Sequence, residues 1–174
     1  MDWQWISNTQ SWVLARYYNG SSIDNELVLM EINPASGSAG IHKYYAPNNG
    51  FDKVMGYSLA RLNNGNMIAV GQVSNSSGTQ AFWQMFTSSG STISDKGRSF
   101  SIDKLDVIAY NVAATNDGGF AVVGAVGTDF SYSTSSPPTG IDTHAFLSKY
   151  DANGNHQWSR QYELQINGYP NSSM

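Results

Sequence analysis

The chain has 174 residues, enough for one domain with a real core, and 40% of them are apolar while only 13% are charged, about half the usual share. A net charge of −4, with nine Lys and Arg placed singly, leaves no basic footprint for nucleic acid or anionic lipid. The absence of cysteine removes disulfides, thiolate zinc sites and thiol nucleophiles.

Asn, Ser, Gly and Thr carry the polarity instead, a mixture that suits short strands joined by turns and argues against exposed helices. Five Trp, ten Tyr and seven Phe are far too many for a disordered chain. No run of about 18 apolar residues is present, so no membrane contact is expected. The start, Met1-Asp2-Trp3-Gln4-Trp5, has no basic segment leading into an apolar one, and the default expectation is a cytoplasmic protein.

In chain order, a strand-like stretch at 3–6 precedes SNTQSWVLAR (7–16) and LVLMEINPASGS (27–38). DKVMGYSLARL (52–62) has a faint helical look, but it carries Gly56 and stands where the pattern calls for a strand. LNNGNMIAVG (62–71) and AFWQMFTSSGS (81–91) then repeat the first pair, and TNDGGFAVVG (115–124), AFLSKYDANGN (145–155) and HQWSRQYEL (156–164) repeat it again. Aligning Asn8, Asn63 and Asn116 gives offsets of 55 and 53 residues and brings Trp12, Met67 and Phe120 together, as well as Leu14, Ala69 and Val122. Gly71 and Gly124 then coincide, with Arg16 at that place in the first copy. The turns Asn63-Asn64-Gly65-Asn66, Asn116-Asp117-Gly118-Gly119 and Asn153-Gly154 supply residues that accept positive φ. The expectation is a single all-β domain over 1–174, built from three tandem four-stranded repeats at about 3–50, 51–104 and 105–164.

In the third copy, Asp117, Gly118, Gly119, Gly124, Asp142, Leu147, Lys149, Asp151, Asn153, Gly154, Asn155 and Trp158 form a pattern that resembles the bacterial β-propeller repeat proteins with DGG…D-x-NGN…W repeats. The resemblance implies blades and carries no activity with it. Propellers close with about 4–8 blades. Three blades therefore predict half of a six-bladed ring, completed by a homodimer. A β-trefoil, also three four-stranded repeats, is the alternative architecture.

Motifs with chemistry are sparse. GFAVVGAVG (119–127) has spaced glycines but lacks G-x-G-x-x-G and a following helix. His42, His144 and His156 show no ligand spacing, and Asp151 to Asn155 lacks the Gly and Glu of a calcium loop, so neither metal nor cofactor is expected. Asp52, Asp103 and Asp106 precede the first strands of copies two and three, the strands that face a propeller's axis, although an Asp there is more often a turn cap. Tyr44, Tyr45 and Tyr132 sit beside Pro- or Ser-rich loops, Tyr132 within the insertion 127–143. Aromatic faces with amide and hydroxyl neighbours suit a glycan, a peptide or a small polar ligand. These six residues are the candidate site of a non-catalytic binding module with its ligand at the axis or on a loop face. The alternative is a carbohydrate-active hydrolase or lyase that uses the Asp residues.

Overall fold

The computed structural model describes residues 2–16, 27–45, 51, 53–127 and 144–163. They form twelve strands, and among the described residues there is no helix. The first sheet holds β1 (Asp2–Ser7), β2 (Gln10–Arg16), β3 (Leu27–Ile32) and β4 (Ala39–Tyr45). The second holds β5 (Lys53–Arg61), β6 (Met67–Asn75), β7 (Gly78–Phe86) and β8 (Thr92–Phe100). The third holds β9 (Asp106–Ala114), β10 (Phe120–Gly127), β11 (His144–Tyr150) and β12 (His156–Glu163). Each sheet is an antiparallel meander in chain order, and among the described residues no ladder joins one sheet to another. The segment with a faint helical look is β5, because pairing along β6 and packing against the first and third sheets outweigh the weak local propensity.

Turn chemistry makes the hairpins alike. In the inner hairpins, Leu62 N–H donates to Asn66 O and Thr115 N–H to Gly119 O, with Gly65 and Gly118 both at φ +86°. In the outer hairpins, Thr87 pairs with Ser91 and Asp151 with Asn155, and Asn33 with Ser38 across one extra residue. Each of these outer turns places a glycine in the left-handed region, Gly37 at +69°, Gly90 at +77° and Gly154 at +80°, where a Cβ would be strained.

The three sheets stack face to face in chain order, β5 lying across β1, β2 and β3, and β9 across β5, β6 and β7. Successive side chains of a strand point to opposite faces, so β6 serves both neighbours. Its Met67 and Ala69 pack with Trp12, Leu14, Leu27 and Leu29 of the first sheet. Its Ile68 and Val70 pack with Phe120, Val122 and Phe146 of the third. Full burial of each Leu, Ile, Val, Met or Phe side chain among these stabilises by about 1.5–3 kcal/mol.

The same clusters correct the alignment of the first copy. Phe120 and Val122 face the preceding sheet, as Met67 and Ala69 do, whereas Trp12 and Leu14 face the following one. Register explains this: Trp5 opposite Ser11 stands where Arg61 faces Met67 and Ala114 faces Phe120. The first copy is therefore one residue out of step with the letter alignment, and a slip of one residue turns every side chain to the other face.

Candidate functional site

In the corrected register Asp2, Ser58 and Asn111 occupy one position in the first strands of the three sheets, opposite Leu14, Val70 and Val123. Among those first strands β5 neighbours both β1 and β9. The three side chains meet there. Ser58 Oγ lies 2.9 Å from Asp2 Oδ2 and 2.9 Å from the Asn111 amide oxygen position. A hydroxyl carries one proton, so the chain is satisfied when Ser58 donates to the carboxylate and the Asn111 amide is turned to donate into Ser58 Oγ. Asp2 is held further by Leu59 N–H at 2.8 Å on Oδ2 and by its neighbour Trp3 N–H at 2.8 Å on Oδ1.

Directly before this position β5 and β9 each carry a β-bulge, and the residues left unpaired are Tyr57 and Tyr110. A bulge re-aims its side chain out of the ladder. The two rings meet at 5.7 Å between centroids, tilted by 54°. Tyr57 donates its hydroxyl to Gln72 Oε1 at 3.1 Å, while Tyr110 stays half-exposed. Partial burial pushes the Tyr110 hydroxyl above its ordinary value, so it is a neutral donor at physiological pH.

The bulges also account for the glycines noted in the sequence. Gly71 and Gly124 lie against them, and a Cβ at either would run into the carbonyl oxygen of Met55 or Ile108. In the structural register the first copy's counterpart is Ala15 rather than Arg16; Ala15 pairs with Val28 on β3, and the first described residue of β1, Asp2, pairs one position earlier with Leu14.

Of the six residues singled out in the sequence, Asp103 and Asp106 are described with their side chains. Asp106 opens β9, and its Oδ1 accepts Thr79 N–H at 2.7 Å, tying the third sheet to the second. It borders a polar depression of about 360 Å³ that Ser101, Lys104 and Thr79 also line. Asp103 sits in the β8–β9 connection with φ +51°, and its Oδ2 accepts from Gln161 Nε2 at 3.3 Å. Both therefore hold backbone or a neighbouring strand. Tyr44 and Tyr45 end β4, the strand farthest from β1 in its sheet, and their side chains fall outside the described residues. Asp52 and Tyr132 lie outside the described residues.

In the third copy, Lys149, Asp117 and Gly119 form one hydrogen-bonded cluster around the turns. Lys149 Nζ, almost buried, donates to Asp117 Oδ2 at 2.8 Å, to Tyr150 O at 2.9 Å and to Gln157 Oε1 at 3.1 Å, clamping inner turn to outer turn. The hydrogen bonds from Lys149, Thr115 and Gly119 hold the Asp117 carboxyl well below the usual carboxylate range. Gly119 leaves room for this, since a Cβ there would meet Tyr150 O and Lys149 Nζ. Asp151 closes its own turn by accepting from Asn153 N–H and Asn155 N–H at 2.8 and 2.9 Å.

Sequence reading missed Asp2, Ser58, Asn111, Tyr57 and Tyr110. The signal for the tyrosines was available, because they stand at the same repeat position of copies two and three. Chemically the group offers two phenol rings with their hydroxyls, one carboxylate, one serine hydroxyl and one amide; among the described residues no imidazole or second carboxylate is hydrogen-bonded to Asp2. No protein-family model matches the chain, and no curated protein resembles it significantly.

Proposed function

We propose that the chain is a non-catalytic binding module, half of a six-bladed β-propeller of the bacterial repeat type, completed as a homodimer and taking a glycan, peptide or small polar ligand at its axial mouth. The observation that carries this reading is the hydrogen-bonded line Asp2–Ser58–Asn111 beside the paired rings of Tyr57 and Tyr110. Aromatic rings stack on the apolar faces of sugars and on peptide planes, and fixed donors and acceptors beside them set orientation. The propeller is favoured over the trefoil because each repeat keeps its four strands in a sheet of its own.

The test is a panel of neutral oligosaccharides and short peptides titrated against the protein and followed by NMR. Binding by one class that is lost in Tyr110→Ala and Asn111→Ala, with the spectrum otherwise unchanged, supports the reading. Binding that survives both substitutions, or no binding across the panel, overturns it. Turnover of a panel sugar that disappears in Asp2→Asn favours the hydrolase or lyase instead. Glycosidases need two carboxyl groups about 5–10 Å apart, and Asp2 meets only Ser58 and backbone N–H groups among its hydrogen-bond partners in the described residues.

A further inference from the structure

The large apolar side chains left exposed among the described residues are Trp3, Trp5, Val123, Trp158, Tyr162 and the axial Tyr110. Apart from Tyr110 they collect on two surfaces. Trp3 and Trp5 are register partners of Val13 and Ser11, on the face of the first sheet turned away from the second. Beside them Val13, Ile32 and Pro34 line an apolar depression of about 540 Å³. Val123 faces the same way as Leu147, and Trp158 and Tyr162 pair with Lys149 and Ala145, all on the face of the third sheet turned away from the second.

These surfaces are the two halves of an interface the chain already builds twice. In both internal contacts the following face of one sheet meets the preceding face of the next. Val123 holds on the third sheet the position that buried Val70 holds on the second. Val13 holds on the first sheet the position of buried Ala69. The outer turns repeat the point: Gly90 lies against the Trp12 ring of the preceding sheet and Gly154 against that of Trp83, while Gly37 has nothing within 4 Å. A preceding sheet is the missing neighbour of the first sheet, and a following sheet that of the third.

We infer that the outward face of the first sheet receives the outward face of the third sheet of a second copy, and that the reciprocal contact closes the pair. The contact is heterologous, unlike face on unlike face, and a two-fold pair makes it twice. The occupant is a second copy because one chain carries both halves in the order its internal interfaces use. The inference rests on the two-chain reading above and adds which surfaces meet. The axial site is incomplete without it, since the pair sets a second Asp2–Ser58–Asn111 line opposite the first.

The experiment is solution mass by light scattering on the full chain and on two variants, Trp3→Arg and Val123→Arg, each altering a side chain exposed in the single chain. Circular dichroism first verifies that both keep the wild-type strand spectrum. The expected result is a wild-type mass twice the 18.9 kDa of one chain and a single-chain mass for each variant alone. Mixing the variants leaves one unaltered contact per pair and recovers the double mass. A face that pairs with its own copy would be broken by one substitution and untouched by the other; that outcome overturns the face assignment and leaves the two-chain reading standing. A wild-type monomer overturns both, and a mass that keeps growing with concentration overturns closure.

Discussion

The outer turns of the first and third sheets have almost the same backbone and opposite surroundings. Gly37 and Gly154 both sit at positive φ in a turn closed by backbone hydrogen bonds. Gly154 rests against the indole of Trp83, while Gly37 faces open space. The difference comes from position in the stack, since a repeat presents the same two faces wherever it stands and only its neighbours decide which of them is dry. Trp83 lies in such a dry contact: fully buried, it meets Phe120 at 5.4 Å and Tyr150 at 5.7 Å between ring centroids.

Trp83→Ala is the largest way to break the comparison. Emptying a site of that size between two sheets is expected to cost about 3–5 kcal/mol, read as a fall in the urea midpoint. A loss under about 1 kcal/mol would mean that the second and third sheets are not held by this contact. Glycine substitutions come next. Gly37→Ala is expected to cost about 1–2 kcal/mol, the strain of a Cβ at positive φ. Gly154→Ala adds a clash with Trp83, worth about 1–3 kcal/mol more. Equal losses measured in the single chain would remove the distinction between the two turns. If the two-chain particle forms as inferred, the gap narrows there, because Gly37 gains a neighbour.

The smallest expected effect sharpens the contrast between the second and third sheets. Lys149 stands where the second sheet has Met85, which is buried under the third sheet. On the free face the same place holds a cation, neutralised by Asp117. The folded pKa of Asp117 is depressed, so its stabilisation is complete above the ordinary carboxylate value of 3.8 and is lost as pH falls toward the much lower folded value. Asp117→Asn is expected to flatten the decline of Tm in that acid window and to change little at neutral pH beyond the lost ion pair. The effect is modest, since the carboxylate faces water and salt screens it. An unchanged acid slope in Asp117→Asn would show that the clamp contributes nothing through its charge.

Much of this arrangement was legible in the letters. Asn-Gly and Asp-Gly turns between apolar runs marked the hairpins, and two of the three copies aligned in the register that the sheets adopt. The first copy did not, because Asn8 invites alignment with Asn63 while the pairing of Trp5 with Ser11 sets the strands one residue away. Letters carry no parity, and in a strand parity decides the face. The hydrogen-bonded group across the first strands was not legible for a related reason. Asp103 and Asp106 stood out as acids near first strands, yet each is engaged in holding neighbouring backbone or strand. Asp2, Ser58 and Asn111 share no residue type, so no motif could gather them; a common position on neighbouring strands does.

By itself the sequence determined the all-β class, the three repeats and the chemistry of their turns, because strand periodicity and positive-φ residues act over a few neighbouring residues. Only the tertiary structure decided which face of each strand is buried, that Tyr57 and Tyr110 leave their ladders to meet, and that a carboxylate, a hydroxyl and an amide line up across three sheets. Those outcomes depend on register and on stacking between residues more than fifty positions apart, and no local pattern of residues encodes that geometry.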